Sequence, residues 1–338
     1  MEMRTLLEIH NLTVEYKTRL ATARAVDNVS LTLEENKTLG LAGESGCGKS
    51  TLGRSIIRLV PHPGRILEGE IFLNLDEDVP YETGVVEKGH INLLELDDDQ
   101  MRALRGSKLA YIFQDPMTSL NPMVRIGHHF VEILQAHVPD ISKEEAQNKA
   151  RDLLESLDIL PERVLDYPHQ FSGGMRQRVM IGLGLALTPQ LLIADEPTTS
   201  LDVIVEAQIL DLISGLKEEF NLTMMLITHN LGVLAKTADS IAIMYTGRIM
   251  EVAPTEALFE SPQHPYAQAL LQSVPDVRKP DKKLAWIPGS PPSLTEPFPG
   301  CMFRPRCPFA MEICATEPPP LLKSASGGLV ACYLYEGS

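Results

Sequence analysis

The stretch Gly43-Glu44-Ser45-Gly46-Cys47-Gly48-Lys49-Ser50 decides the fold of this 338-residue chain. It fits the pattern G-x-x-x-x-G-K-[ST], follows an apolar strand-like run (39–42) and precedes a run with helical periodicity (52–60). In this setting, glycines let backbone N–H groups converge on phosphate oxygens, and the helix presents its positive N-terminal end. The pattern predicts a phosphate-binding loop. The alternative, a glycine-rich turn with an incidental lysine, does not account for the strand before it and the helix after it.

Individual residues of this loop have separate predicted roles. Lys49 should reach the β- and γ-phosphates, Ser50 should ligate Mg²⁺, and Thr51 lies on the side of the α-phosphate. Cys47 is interpreted as a small residue that the loop tolerates, and the alternative is a redox-active thiol. The backbone of the remaining loop positions should cradle the nucleotide; these are Gly43, Ser45, Gly46 and Gly48.

A second apolar run, 191–194, ends in the adjacent carboxylates Asp195 and Glu196. Ligands of parallel sheets bind at the carboxyl ends of the strands, so this pair should lie near the phosphate loop. Asp195 is predicted to hold Mg²⁺ through water, and Glu196 to act as the general base for an attacking water. An acidic pair after a strand is otherwise an ordinary loop feature, and the phosphate loop is what favours the catalytic interpretation.

The charge balance and hydropathy exclude other classes of protein. Lys and Arg number 30 and Asp and Glu number 45, so the net charge of −15 argues against broad nucleic-acid binding. The hydrophobic fraction of 44% excludes overall disorder. No uninterrupted apolar run approaches the roughly 20 residues that a membrane-spanning helix needs, and residues 1–12 lack an apolar signal core. We expect a protein that is not itself embedded in a membrane.

Patterns along the rest of the chain indicate a mixed α/β organisation. Short strands are predicted at 6–9 and 12–16, and an alternating strand at 29–33. The acidic stretch 76–99 is interpreted as an exposed hairpin or loop insertion. Helices are expected from 121 to about 166, including a capping box at Ser142–Glu145, and strands alternate with helices over 191–252. Twelve prolines between Pro275 and Pro320 predict little regular structure there.

Further motifs resemble the family of ATP-binding-cassette (ABC) ATPases. Residues 171–178, Phe-Ser-Gly-Gly-Met-Arg-Gln-Arg, resemble the ABC signature and stand before the acidic strand, as in that family. Gln114 resembles the Q-loop glutamine, Ser200-Leu201-Asp202 the D-loop, and His229 the switch histidine. Tyr16 resembles the aromatic residue that stacks on adenine. Taken singly, Gln114 could be a strand-end amide, His229 an ordinary histidine and Tyr16 a packing residue; their joint order favours the resemblance.

The signature departs from the commonest form, Leu-Ser-Gly-Gly-Gln, at both ends, with Phe171 and Met175. Ser172 and Gly174 retain the hydroxyl and the helix-start N–H that would meet a γ-phosphate on a partner domain. Met175 cannot offer the polar contact of a glutamine, so the contact on the ribose side is expected to be missing.

The resemblance narrows to the oligopeptide/dipeptide importer ATPases. It rests on residues 113–122 and 171–178, and in the last quarter of the chain on His264-Pro265-Tyr266, residues 287–292, Gly300-Cys301 and residues 305–308. It implies an α/β fold: an ABC-type P-loop nucleotide-binding domain with a RecA-like core, an antiparallel β part and a helical subdomain (about 115–187), spanning 1–255. A Pro-rich iron–sulfur C-terminal extension would follow at 256–338.

The same resemblance implies the reaction and the assembly. Mg²⁺-ATP hydrolysis would drive peptide uptake, with Lys49, Gln114, Glu196 and His229 catalytic, and Ser50, Gln114 and Asp195 around Mg²⁺. The implied partners are a second related ATPase, two transmembrane permease subunits and an extracytoplasmic substrate-binding protein, with no nucleic acid. The chain would sit peripherally on the cytoplasmic face of the cell membrane.

Four cysteines near the end of the chain, spaced Cys301-x5-Cys307-x6-Cys314-x17-Cys332, predict a metal site. The spacing lacks the CxxC pairs of zinc ribbons. Four thiolates are the usual complement of an iron–sulfur cluster, and the resemblance implies a [4Fe–4S] cluster here. Structural zinc or unliganded thiols are the alternatives. The expected role is a structural staple that leaves nucleotide chemistry untouched.

Three other functions fit parts of the sequence. The same machinery could import oligosaccharides or another solute. A soluble ABC ATPase of DNA repair or translation would normally carry long coiled-coil or zinc insertions or two fused cassettes, which a single cassette of 338 residues does not show. An iron–sulfur redox sensor with a secondary ATPase is the third.

Overall fold

The computed structural model describes residues 4–19, 21–115, 119–199, 201–273, 287–295, 298–324 and 327–335. The strands in this part of the chain are β1 (Thr5–Lys17), β2 (Thr22–Glu34), β3 (Thr38–Ala42), β4 (Gly64–Leu75), β5 (Val79–Tyr81), β6 (Gly84–Val86), β7 (Gly89–Asn92), β8 (Leu109–Ile112), β9 (Leu191–Asp195), β10 (Thr223–Ile227), β11 (Ser240–Tyr245), β12 (Arg248–Pro254), β13 (Leu322–Lys323) and β14 (Leu329–Val330). The helices are α1 (Lys49–Ile56), α2 (Asp98–Ser107), α3 (Ile126–His137), α4 (Lys143–Ser156), α5 (Gly173–Leu185), α6 (Val203–Phe220), α7 (Leu231–Thr237), α8 (Thr255–Glu260) and α9 (Pro265–Gln272).

The central sheet has eight strands in the order β13-β14-β12-β11-β3-β10-β9-β8. Its five strands from β11 to β8 are parallel, and both β3 and β9 are buried along their whole length. Ile227 pairs with Asp195 on one side and Leu41 on the other, and Ile112 pairs with Ala194. The carboxyl ends of four strands therefore meet at one edge, where parallel sheets bind ligands.

A second, antiparallel sheet has the order β2-β1-β4-β7. The sequence predicted two short strands at 6–9 and 12–16, but the structure joins them in β1. Asn11 takes a left-handed conformation (φ 48°) at a register shift, and asparagine tolerates that conformation better than most residues. The sheet covers one side of α1, where Leu12, Val26 and Leu52 share a buried cluster.

The acidic stretch contains the predicted hairpin. Strands β5 and β6 pair antiparallel, with Val79 opposite Val86, and both valines are buried. The Lys108 ammonium lies 3.1 Å from an Asp76 carboxylate oxygen and 2.5 Å from a Glu77 oxygen, so part of the acidic charge is neutralised locally.

Helices α3, α4 and α5 form a layer against the parallel strands. Phe130, Leu154 and Val179 belong to the same buried cluster as Ala194 and Leu226 of the sheet. The predicted capping box is present: the Ser142 hydroxyl accepts from the Glu145 N–H, and the Glu145 carboxylate accepts from the Ser142 N–H. The limits of a helical subdomain at about 115–187 stay a prediction.

The C-terminal segment packs on the core of the central sheet. Strand β14 pairs with β12, and Tyr266 and Phe303 share the cluster that contains Tyr245 of β11. Beyond Pro275, the described residues form short 3₁₀ turns and two strands of two residues, as the proline content predicts. A domain boundary at 255/256 stays a prediction. In the described ranges, no helix combines the length and apolar character needed to cross a bilayer.

Candidate functional site

The phosphate loop connects the end of β3 to the start of α1, as predicted. Gly43 and Gly48 are required by close backbone approaches: a Cβ at Gly43 would lie 2.1 Å from the Met244 carbonyl oxygen, and one at Gly48 would lie 2.0 Å from that of Ala25. Gly48 also has φ 107°, which disfavours any side chain there. The loop backbone is therefore pressed against β2 and β11, and its shape depends on both.

Lys49 points back into the loop and is only 5% exposed. Its ammonium donates to the carbonyl oxygens of Gly43 (2.9 Å) and Glu44 (3.1 Å). No carboxylate in the described part of the chain pairs with this buried charge, so phosphate oxygens could replace its neutral carbonyl acceptors. Cys47 is buried, and this burial raises the pKa of its thiol despite the nearby lysine. A protonated, buried thiol disfavours the redox-active alternative for Cys47.

Asp195 is completely buried at the end of β9. One of its carboxylate oxygens accepts from the Ser50 hydroxyl (2.9 Å) and the other from the Tyr111 hydroxyl (2.7 Å). Burial, and then the Asp195 charge, raise the pKa of Tyr111, so the phenol remains a hydrogen-bond donor. A hydroxyl beside a carboxylate is the oxygen-donor set that Mg²⁺ prefers, so these residues fit the predicted ion.

Glu196 lies at the centre of the predicted catalytic group. Its carboxylate accepts from the Gln114 amide (2.9 Å) and the Thr199 hydroxyl (2.8 Å), and lies 3.4 Å from Nδ1 of His229. The Glu196 backbone is left-handed (φ 48°), a conformation that is uncommon for residues other than glycine and is often found at functional sites. The structure therefore brings together three residues that the sequence placed after β8, β9 and β10.

Tyr16 and Thr51 also meet, although they come from β1 and α1. Their hydroxyl oxygens lie 3.3 Å apart, and the Tyr16 ring is half-buried. This contact places Tyr16 beside the start of α1. The base of a nucleotide whose phosphates are held by the loop would lie close to this position.

Ser172 and Gly174 lie at the start of α5 and, among the described residues, contact their own helix and α6 rather than the phosphate loop. The Ser172 hydroxyl accepts from the Met175 N–H, and a Cβ on Gly174 would lie 2.6 Å from Val205. The end of the D-loop, Asp202, caps α6 by accepting from the N–H groups of Ile204 and Val205. Ser200 and residues 116–118 lie outside the described residues.

Met175 has a packing partner that the sequence did not indicate. Its sulfur accepts from the Arg163 guanidinium (3.3 Å), which also lies over the Phe171 ring at 4.4 Å. Both unusual signature residues therefore contact one arginine, which in turn pairs with Asp166.

The four C-terminal cysteines line one narrow pocket, together with His264 and Phe303. The pocket has room for about one water molecule. All four thiols are free, and the Cys301 N–H donates to the Cys314 carbonyl. Burial raises the pKa of Cys301 and of Cys307, and it raises that of Cys332 to about 11, with the neighbouring thiols adding to the effect on Cys332.

The described residues contain no group of three or more His, Cys, Asp or Glu side chains with the geometry to hold a single metal ion. Zinc bound by four thiolates at about 2.3 Å would need such a group. The four cysteines do share one pocket and their thiols are free, although that pocket has room for only about one water molecule. The [4Fe–4S] cluster nevertheless finds no direct support here and stays a prediction.

Sequence reasoning missed Tyr111, Thr199 and Arg306. Thr199 follows Glu196 at a spacing of three, which is a usable signal for a turn hydrogen bond. The hydrogen bond of Tyr111 to Asp195 joins residues 84 positions apart, and that of Arg306 to Glu44 joins residues 262 positions apart. No local sequence pattern therefore indicates either residue.

The parallel sheet, the phosphate loop and the Glu196 group define an ABC-type nucleotide-binding domain. The family model for ABC transporters matches residues 26–199, and that for the C-terminal region of oligopeptide/dipeptide transporters matches residues 250–314. The chain is 45% identical to a probable peptide ABC transporter ATP-binding protein of Sinorhizobium fredii, covering 97% of this chain and 94% of that protein. It is 43% identical to the oligopeptide transport ATP-binding protein OppD of Salmonella typhimurium, covering 97% and 93%.

A solved structure shows the same architecture. The ATP-binding cassette MJ0796, a dimer bound to ADP and phosphate, superposes with a TM-score of 0.62 and 27% identity, covering 74% of this chain and 99% of that one. The chain therefore belongs to the ABC transporter family, within its oligopeptide/dipeptide branch, and is an ATP-hydrolysing subunit of a transporter. This membership disfavours both the soluble ATPase of repair or translation and the redox sensor.

Proposed function

We propose that ATP hydrolysis by this subunit drives the uptake of di- and oligopeptides. The observation that carries the substrate class is the match of residues 250–314 to the oligopeptide/dipeptide C-terminal region. The relatives named for peptide transport, at 38–45% identity, support the same class.

The contacts of the site support a mechanism of positioning and charge stabilisation. The backbone of Gly43, Ser45, Gly46, Cys47 and Gly48 and the Lys49 ammonium would hold the phosphates, with Thr51 toward the α-phosphate and Tyr16 against adenine. Bound Mg²⁺ would neutralise charge on the phosphate oxygens, and Ser50, Asp195 and Gln114 would hold it.

Glu196 is the acceptor for the proton of the attacking water. The Thr199 hydroxyl and the Gln114 amide both donate to one Glu196 oxygen, while the other oxygen faces His229. Two donors on one oxygen orient the carboxylate, and His229, which is largely exposed, can donate to a γ-phosphate oxygen. Catalysis then comes from a fixed base and fixed donors rather than from a covalent intermediate.

Membership of the family and the dimeric form of the related cassette support a proposed assembly. Ser172 and Gly174 would serve the nucleotide of a partner ATPase, which we assign to a second, related subunit. Two transmembrane permease subunits and an extracytoplasmic substrate-binding protein would complete the importer. The chain would then be peripheral, on the cytoplasmic face of the membrane.

Uptake by the assembled importer in proteoliposomes tests the substrate class. A labelled dipeptide and pentapeptide are compared with a malto-oligosaccharide of similar mass, each with the cognate binding protein. We expect ATP-dependent accumulation of the peptides only. Accumulation of the oligosaccharide without the peptides would contradict the peptide assignment while leaving the ATPase intact.

Substitutions in the signature should have unequal effects. Ser172→Ala removes both the α5 cap and the hydroxyl for the partner's phosphate, so we expect a loss in turnover of about tenfold. Met175→Ala removes the sulfur acceptor of Arg163 but no nucleotide contact, so we expect a loss of about twofold. Turnover of both variants in the same heterodimer checks the order. Equal losses would show that Met175 does more than pack against Arg163.

For the C-terminal pocket we propose a [4Fe–4S] cluster held by Cys301, Cys307, Cys314 and Cys332. The support is that all four thiols line one pocket and none is in a disulfide. Because burial raises the pKa of Cys301, Cys307 and Cys332, these thiols are protonated at neutral pH without a metal. The iron of a bound cluster would compensate the negative charge of the four thiolates. The cluster would also cross-link a segment that has little regular structure.

Cys307→Ser should abolish bound iron, inorganic sulfide and visible absorbance, because a cluster lacking one of its four thiolate ligands is lost. Iron, sulfide and zinc are measured after anaerobic purification. Cys47→Ser is the matched control, because Cys47 is a buried thiol outside the pocket, and it should retain the metal. Zinc without sulfide in the parent chain would refute the cluster.

A further inference from the structure

Arg306 joins the cysteine-containing segment to the phosphate loop. It ends the 3₁₀ turn Arg304–Arg306, directly before Cys307, and its side chain is 5% exposed. Its two terminal nitrogens donate to the two carboxylate oxygens of Glu44, at 2.9 and 3.0 Å. This is the two-pronged geometry for which arginine is suited and lysine is not.

The remaining donors of Arg306 are also used. They reach the Tyr245 hydroxyl (3.1 Å) and the carbonyl oxygens of Ile287 (3.2 Å) and Pro288 (2.9 Å). All five N–H groups of the guanidinium therefore have acceptors. A fully satisfied, nearly buried guanidinium has one orientation, so it holds Glu44 in one position.

The C-terminal region holds Glu44 at its backbone as well. The Glu44 N–H donates to the Tyr266 hydroxyl (3.0 Å), while the Glu44 carbonyl accepts from the Lys49 ammonium (3.1 Å). Tyr245, Tyr266 and Phe303 pack together, with ring centroids 4.5–5.4 Å apart. Glu44 thus lies between a rigid aromatic platform and the lysine that binds phosphate.

The charges favour the same arrangement. Burial opposes the charge of Arg306, but the hydrogen bonds to Glu44 and Tyr245 outweigh it, and the pKa of Arg306 is raised. Removing Glu44 or Arg306 alone would leave the other charge poorly compensated, which costs more than the intact pair contributes.

We infer that Arg306 is a positioning residue for nucleotide binding: it fixes Glu44, and with it the carbonyl that orients Lys49 before phosphate arrives. The sequence predicted that the cysteine segment would leave nucleotide chemistry untouched. The contact between Arg306 and Glu44 argues against that separation. Pre-organisation of the loop lowers the cost of binding, so its loss raises the dissociation constant more than it slows the chemical step.

The test compares Arg306→Met with Arg304→Met, an arginine on the same turn whose side chain is exposed. Binding of ATP and ADP to the full chain is measured by calorimetry, and turnover is measured in the assembled importer. We expect Arg306→Met to weaken nucleotide binding about tenfold and to change turnover at saturating ATP less than about twofold. Arg306→Lys should recover part of the affinity, because lysine can make one of the two bonds to Glu44.

A double-substitution cycle separates positioning from general damage. Glu44→Gln should weaken binding in the same direction, and adding Arg306→Met to it should cost less than about twofold more. If Arg306→Met does not fold, Glu44→Gln and Arg306→Lys carry the test. Equal affinities for the variants at 304 and 306, or a full additional loss in the Glu44→Gln background, would overturn the inference. None of these measurements depends on which solute is transported.

Discussion

Glu196→Gln should bind ATP with the affinity of the parent subunit and hydrolyse it at least about 100-fold more slowly in the assembled importer. Glutamine keeps the shape of the side chain and an oxygen that can accept from Thr199 and Gln114, so the local hydrogen bonds persist. What is lost is the group that accepts the proton of water. The left-handed backbone at Glu196 is equally accessible to glutamine, so the fold is unaffected.

Glu206→Gln is the control for this prediction. Glu206 is a nearby carboxylate whose side-chain hydrogen bonds, within the described ranges, come from Thr198 and Asn230 and not from Gln114, Thr199 or His229. Its turnover should stay within about threefold of the parent value. Steady-state hydrolysis and trapped nucleotide are measured together, because a closed dimer with intact ATP is the expected state of the Glu196→Gln importer. Near-normal turnover of that variant would remove Glu196 from the role of base.

Lys49→Met should weaken binding of ATP to the full chain by about 100-fold or more. The lost ammonium is the charge that is predicted to contact the β- and γ-phosphates. Among the described residues its hydrogen-bond partners are two backbone carbonyls and the Cys47 sulfur (3.9 Å), and none is a carboxylate. Replacing it with an apolar side chain of similar length therefore leaves no charge uncompensated. Thermal unfolding should therefore shift little while calorimetric binding of ATP disappears.

Lys108→Met is the control for this prediction, because Lys108 is a lysine of similar burial that lies away from the phosphate loop. Lys108 pairs with Asp76 and Glu77, which are exposed enough to be hydrated when it is removed. We expect its affinity for ATP to equal that of the parent. A comparable loss of affinity in both variants would mean that general destabilisation, and not phosphate contact, explains the result for Lys49→Met.

Much of the site could be predicted from the sequence, because its residues either are consecutive in the chain or stand at the ends of strands. The phosphate loop needs only consecutive residues: glycines for the close backbone approaches, Lys49, and a helix that begins there. Asp195 was predicted from an apolar run that ends in two carboxylates, whereas Gln114 and His229 were predicted from the resemblance to ABC ATPases. In the structure all three stand at or just after the carboxyl ends of strands. Parallel strands whose residues pair in register bring those ends to one edge of the sheet.

Local patterns were less informative where tertiary contacts override them. Two predicted strands became β1, since a left-handed asparagine lets the strand continue through a register shift. Met175 was recognised as unusual, but its partner Arg163 was not, because their contact depends on how a 3₁₀ turn (Pro161–Leu165) packs against α5.

The sequence by itself determined the class of protein, the phosphate loop, the acidic strand end and the grouping of four cysteines as a candidate metal site. Only the tertiary structure decided which side chains orient those groups: Tyr111 on Asp195, Thr199 on Glu196, and Arg306 on Glu44. The physical reason is distance along the chain. A hydrogen bond between residues 262 positions apart leaves no periodicity or spacing in the sequence, and it forms only because the C-terminal segment folds back onto β11 and β12.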